Sequence, residues 1–231
     1  MPKKLKHLGI ILDGNRRWAK SKGLPTLIGH KKGYEKIKQV GEWCINRGID
    51  ILTVYAFSTE NWSRSKKEVD YLMNLLKKGM IKEVKYFKEK GIQVKVIGEK
   101  SRLSQDLQNA ISNMEEKTKN CTKGLLNIAI NYGGRLEIVK AVKKIIKEKI
   151  PLEKITEQTI NNNLYTSELP DPDMIIRTSG EQRLSGFLLW QASYSELYFP
   201  SVCWPGFKEK NLDEAVEWFE KRNRRFGGDE E

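Results

Sequence analysis

The apolar and polar positions of this chain follow two alternating periodicities. Short apolar runs stand at 8–12, 51–57, 92–97, 125–130, 174–176 and 197–199. A run without polar alternation reads as a strand covered on both faces, as in a parallel sheet. Between the runs, apolar residues recur at helical spacing. Residues 34–46 place Ile37, Val40, Trp43 and Cys44 on one face, and residues 67–89 do the same with Val69, Leu72, Leu75, Leu76, Met80, Val84 and Phe87. Similar stripes predict helices at 101–118, 136–149, 156–164 and 212–225, with Pro151 closing the one at 136–149. Gly79 falls in the middle of 67–89 and predicts a bend there. The alternation has no Pro/Gly/Ser linker, repeat or low-complexity segment. It predicts a single α/β domain over 1–231, with a mainly parallel central sheet of about six strands flanked by helices. Short tails are expected at 1–6, which is basic, and at 222–231.

In open parallel sheets ligands bind beyond the carboxyl ends of the strands. The first run ends in Asp13-Gly14-Asn15-Arg16-Arg17-Trp18. A strand giving way to a helix start presents free backbone N–H groups and the positive end of the helix dipole. Gly14 lets a ligand approach, and the guanidinium forks of Arg16 and Arg17 suit phosphate. Asp13 suits a phosphate only with a cation between them, which points to Mg²⁺. Taken alone, this segment reads equally as a polar turn after a core strand. The other strand ends tip the balance. They carry Ser58-Thr59-Glu60-Asn61-Trp62-Ser63-Arg64, Asn131-Tyr132-Gly133-Gly134-Arg135 and Arg177-Thr178-Ser179-Gly180-Glu181-Gln182-Arg183. On one rim these loops bring together six arginines with amides, hydroxyls and a few acids, as a pocket for two highly charged groups requires.

Charge and cysteine content narrow the partners. The formal net charge of +12 favours anionic ligands. Most of the positive charge is lysine scattered along helical segments as solvated surface, and no interleaving of aromatic and basic residues calls for nucleic acid. Cys44, Cys121 and Cys203 show no CxxC spacing, which fits a reducing cytoplasm without disulfides or a zinc site. The apolar run behind the basic N-terminus is too short for a signal peptide, and no stretch reaches the length of a membrane span. Several chemistries drop out. GxxxxGK[ST] and GxGxxG are missing, His7 and His30 are the only histidines, and neither a nucleophile elbow nor an HExxH motif occurs.

Several separated motifs then converge on one family. They are His7 through Ala19, Gly29-His30, Tyr55 through Trp62, Asn131 through Arg135, Asp173 through Gly180, and Phe187-Leu188-Leu189-Trp190-Gln191 continuing to Glu196-Leu197-Tyr198-Phe199. In this order, from about His7 to Gly228, the chain resembles the cis-prenyltransferases, the undecaprenyl diphosphate synthase family. The resemblance implies successive cis condensation of isopentenyl diphosphate onto an allylic diphosphate such as farnesyl diphosphate. It implies Mg²⁺ on Asp13 with Glu196 as a second ligand, and Asp13 and Asn61 as the catalytic pair, with Ser58 beside Asn61. Gly14, Asn15, Arg16, Arg17 and His30 would hold the allylic diphosphate. Arg177, Arg183, Leu184 and Ser185 would hold isopentenyl diphosphate, and Trp18, Thr59, Glu60, Trp62 and Arg64 would line the substrate site. The stripe of Leu72, Leu75, Leu76, Met80 and Val84 is expected to wall an apolar tunnel for the growing chain. The ending Arg224-Arg225-Phe226-Gly227-Gly228 resembles an RxG motif that reaches a partner subunit, which implies a homodimer. Contact with a membrane surface would come through the lipid product. Thr26 stands where many members carry an arginine toward the allylic diphosphate, and Arg16, often glycine in relatives, is expected to compensate. A non-catalytic subunit of a prenyltransferase complex is the alternative reading. The presence of Asp13, Asn61, Arg177 and Arg183 argues against it.

Overall fold

The computed structural model describes residues 4–222, so the RxG ending lies outside the described residues. In chain order the elements are β1 (His7–Ile11), α1 (Asn15–Ser21), α2 (Thr26–Asn46), β2 (Ile51–Ser58), α3 (Lys66–Lys82), α4 (Val84–Lys90), β3 (Ile92–Ile97), α5 (Gln105–Thr118), β4 (Gly124–Tyr132), α6 (Gly134–Lys147), α7 (Glu157–Asn161), β5 (Met174–Arg177), β6 (Glu196–Tyr198) and α8 (Glu209–Glu220). The six strands form one sheet in the order β3-β4-β2-β1-β5-β6, every pairing parallel. All five residues of β1 and all four of β5 are buried, as uninterrupted apolar runs require when both sheet faces are covered. The larger core fills the face under α2, α3, α5 and α8, with Leu8, Ile10, Val54, Val94 and Ile128 from the strands. A smaller core on the other face holds Ile11, Tyr55, Tyr132, Phe187 and Leu188, with the Tyr55 and Phe187 rings stacked at 4.8 Å between centroids.

β1 is central, with β2 on one side and β5 on the other. The pairings Ile11↔Tyr55 and Ile11↔Arg177 bring the ends of three strands to one level. The loops that follow β1, β2, β4 and β5 therefore share a rim. This is the crevice at which parallel sheets bind ligands.

Local structure departs from expectation at two helices. The segment before residue 34 is helical in two pieces, α1 and the first turns of α2. Gly29 and Gly33 weaken the helix pattern there, yet α1 crosses α2 at those glycines. A Cβ on Gly33 would lie 2.1 Å from Asn15 Oδ1 and 2.9 Å from Trp204 Cδ1. The stretch predicted as one helix over 67–89 breaks at Glu83, at φ −93° and ψ 1°, which caps α3 and starts α4. Gly79 lies inside α3, so the bend is not there. Its missing side chain makes room for the ring of Tyr34. Among the described residues no helix is long and apolar enough to cross a membrane.

Candidate active site

A large cavity of about 930 Å³ opens on the rim. Its mouth is polar and its depth is apolar. Asp13, Gly14, Asn15, Arg16 and Arg17 come from the start of α1, and His30 from α2. Ser58, Thr59, Glu60, Asn61 and Arg64 follow β2, and Arg177 and Ser185 follow β5. Below them Leu12, Tyr34, Ile37, Leu72, Leu75 and Leu76 line the interior.

Asp13 and Arg177 form the centre of the mouth. Arg177 is buried, and its Nη2 and Nε donate to Asp13 Oδ2 at 2.9 and 3.2 Å. Its Nη1 donates to Ser185 Oγ at 2.6 Å and to the Arg183 carbonyl at 2.5 Å. The other carboxylate oxygen, Asp13 Oδ1, accepts from the Gly14 amide at 2.6 Å and lies 3.4 Å from Arg17 Nη2. Thr178 Oγ1 and the Trp204 amide donate to the Asp13 carbonyl at 2.7 and 2.9 Å, which fixes the backbone. Burial alone would raise the Asp13 carboxyl. The hydrogen bond and charge of Arg177, the Gly14 amide and Arg17 outweigh it, so the carboxyl titrates below its ordinary value. Gly14 adopts φ 97°, and a Cβ there would lie 2.8 Å from Cys203 Sγ. Only glycine fits this turn without strain.

A second cluster sits under Arg16. His30 is buried, and its Nε2 donates to Glu68 Oε1 at 3.0 Å, while Arg64 Nη1 donates to the same oxygen at 3.0 Å. Burial lowers the His30 pKa and the Glu68 carboxylate only partly offsets it, so the ring is neutral near pH 7. Glu68 escaped the sequence reading because it falls within the α3 pattern. Only its position at i+4 from Arg64 hinted at a pair. Asn61 Oδ1 accepts from the Ser58 amide at 3.1 Å, which orients its side chain at the end of β2. Arg135, at the start of α6, also lines the cavity. The run of polar residues after β4 had marked it.

Five expected site residues lie away from the cavity. Trp62 Nε1 donates to Asn131 Oδ1 at 2.7 Å, and its ring packs edge-on against Phe57. Trp18 packs on the turn at Gly206. The Arg183 side chain is exposed and pairs with Glu181, while its carbonyl supports Arg177. Leu184 packs against the smaller core. Glu196, expected as a second metal ligand, stands toward the other end of the sheet. In β6 it pairs with Met174, at the amino end of β5, whereas Asp13 lies beyond the carboxyl end of β1. Its carboxylate accepts from Arg222 Nε at 3.3 Å. Parallel pairing at about 3.3 Å per residue keeps Glu196 and Asp13 apart within one chain.

Of the expected tunnel stripe, Leu72, Leu75 and Leu76 line the cavity, Met80 lines a smaller space below it, and Val84 packs on the core. A cationic mouth over an apolar interior binds a ligand with an anionic head and a hydrocarbon tail.

A family model described as "Putative undecaprenyl diphosphate synthase" matches residues 11–227. The chain belongs to this family. It is an enzyme, a prenyltransferase. An isoprenyl transferase of Fusobacterium nucleatum is 49% identical over 223 residues, spanning 96% of this chain and 96% of its own. A tritrans,polycis-undecaprenyl-diphosphate synthase (geranylgeranyl-diphosphate specific) of Thermoplasma volcanium is 48% identical, spanning 96% of this chain and 88% of its own. Among solved structures, lavandulyl diphosphate synthase from Lavandula x intermedia in complex with dimethylallyl diphosphate superposes with a TM-score of 0.93 at 37% identity, covering 97% of this chain and 99% of that one.

In this prenyltransferase the acidic residues lining the cavity are Asp13 and Glu60. Asp13 supplies ionised carboxylate oxygens at the mouth, and among the described residues no group of three or more His, Cys, Asp or Glu forms a closed metal cage. Mg²⁺ is commonly held by one or two carboxylates together with substrate phosphates.

Proposed function

We propose that this prenyltransferase adds isopentenyl diphosphate successively, in cis geometry, to an allylic diphosphate, with farnesyl diphosphate as the starter and a polyprenyl diphosphate such as undecaprenyl diphosphate as product. The observation that carries this reading is the shape of the cavity. Two diphosphate heads need a cationic mouth, and the growing hydrocarbon needs the apolar space below. In each cycle the allylic C–O bond breaks, releasing diphosphate. A new C–C bond forms, and the isopentenyl unit loses one proton.

Asp13 would hold Mg²⁺, whose chemistry is to neutralise the departing diphosphate as a Lewis acid. Arg16, Arg17 and the α1 amides would take the allylic head, and Arg177 with Ser185 the isopentenyl head. Arg177 arrives already fixed by four hydrogen bonds, so little reorganisation is needed when charge develops. Asn61 is too weak a base to act alone, so its role is to orient the isopentenyl diphosphate or a water that accepts the proton. His30 spends its single proton on Glu68. It donates to a diphosphate only when doubly protonated, a state the anion itself favours. The reading includes a homodimer, as the family resemblance implies, and a cytoplasmic enzyme that meets membranes through its product.

The test is incubation with farnesyl and isopentenyl diphosphates, with and without Mg²⁺, followed by mass analysis of the lipids. Chains longer than the starter, formed only with Mg²⁺, are expected. If the starter is recovered unchanged in both arms, the reading fails. A second measurement concerns Arg16. It lines the mouth and its charge acts on His30, whereas Thr26 is exposed at the start of α2. Arg16→Gly is expected to weaken allylic diphosphate binding about tenfold or more, as loss of one charge-assisted contact would. Unchanged affinity in a titration would show that Arg16 does not compensate for Thr26.

A further inference from the structure

The cavity borders a second, smaller space, and Tyr34 is one of the side chains between them. Helices α2 and α3 both descend from the rim. His30, Gly33, Tyr34 and Ile37 are successive inward positions on α2, and Leu72, Leu75 and Leu76 are their counterparts on α3. One turn below Leu76 comes Gly79. A Cβ at Gly79 would lie 2.6 Å from Tyr34 Oη and 2.7 Å from Tyr34 Cε2, so the ring of Tyr34 rests directly on the α3 backbone. Its hydroxyl donates to Glu83 Oε1 at 3.4 Å, and Glu83 is in turn held by Lys38 Nζ at 2.8 Å. Burial and the Glu83 carboxylate both raise the tyrosine pKa, so the phenol stays neutral and keeps its proton for that bond.

Below the ring lies a second space. It holds only about 30 Å³ and is lined by Met80, Phe87, Met114 and Ile128. Tyr34, Ile37 and Leu76 line both this space and the main cavity. The two are therefore neighbours that share these three side chains. The lower space is apolar, and two of its walls are methionines, the side chains that most readily repack around a new occupant. A hydrocarbon chain growing down the cavity meets the Tyr34 ring before it can reach that space.

We propose that Tyr34, seated on Gly79 and tied to Glu83, is the partition that closes the deep end of the cavity and sets the longest product the enzyme releases. This rests on the polyprenyl-forming reading above and adds the residue that ends elongation. The ring does the blocking, and the hydroxyl bond keeps it from swinging aside.

The experiment compares wild type with Tyr34→Ala, Tyr34→Leu and Tyr34→Phe, using farnesyl diphosphate and excess isopentenyl diphosphate with Mg²⁺. The products are resolved by mass. Tyr34→Ala is expected to move the most abundant product to a chain longer by one isoprene unit or more. Tyr34→Leu, which keeps apolar contact between α2 and α3, is expected to move it in the same direction and serves if the alanine variant does not fold. Tyr34→Phe keeps the ring and is expected to retain the wild-type maximum. An unchanged maximum in the leucine or alanine variant, with active wild type, overturns the partition alone. Lengthening by Tyr34→Phe equal to that of the smaller residues overturns it as well, since ring volume would then not be the barrier. A wild type that makes no chain longer than the starter overturns the functional reading together with the partition.

Discussion

Asp13→Asn is expected to fold and to lose product formation about a hundredfold or more, the cost of removing a preorganised charge from a reacting centre. The amide keeps the shape of the carboxylate but not its charge. It has one acceptor oxygen where Asp13 has two, and both are in use, one by Arg177 and one by the Gly14 amide. An amide turned to satisfy Arg177 points its NH₂ at the Gly14 N–H. The unmet donor costs about 1–3 kcal/mol, which in a chain of this size lowers the melting temperature by several degrees without unfolding the protein. Steady-state turnover and a thermal melt separate the two effects. Wild-type turnover in this variant would remove Asp13 from the chemistry. The pH dependence gives an independent check. The folded carboxyl titrates below its unfolded value, so its contribution to stability is complete above the unfolded pKa and is lost as pH falls through the folded one. Below about pH 4 wild-type stability should therefore fall more steeply than that of Asp13→Asn.

Arg177→Ala is expected to cost about a hundredfold or more in kcat/KM, and to move the acid limb of the pH profile upward. Arg177 is the chief influence that lowers the Asp13 carboxyl. Without it, burial drives that carboxyl up, and Asp13 loses its charge at a higher pH. Arg177→Lys should recover only part of the loss. A lysine ammonium cannot reach Asp13, Ser185 and the Arg183 carbonyl together as the planar fork does. If the acid limb stays in place in Arg177→Ala, the coupling between the two residues is wrong, whatever happens to the rate.

Much of the mouth was legible in the chain. Asp13, the arginines that follow it and Arg177 stand at the ends of apolar runs, Asn61 follows one a few residues on, and parallel pairing puts these positions on one rim. Glu196 follows no apolar run of that kind. It opens a late strand, so the same pairing rule sends it to the opposite end of the sheet. Trp62 was expected near substrate from the family resemblance. Pairing of β2 with β4 skips past Ala56 and Asn131, and the bulge turns Asn131 to receive the indole N–H. Glu68 carried only its i+4 spacing from Arg64, and Tyr34 carried no signal, since each falls at an ordinary position in a helical segment.

The chain alone predicted about six strands alternating with helices, a mainly parallel sheet, and the chemistry gathered at the carboxyl ends of the strands. These follow from hydrophobic periodicity and from which residue ends each run, both local properties. Only the tertiary structure decided which arginines reach the cavity, that Glu83 rather than Gly79 breaks the third helix, and that the ring of Tyr34 seats against Gly79. Those outcomes depend on contacts between segments far apart in sequence, where the spacing of two packed helices settles what a missing Cβ makes room for.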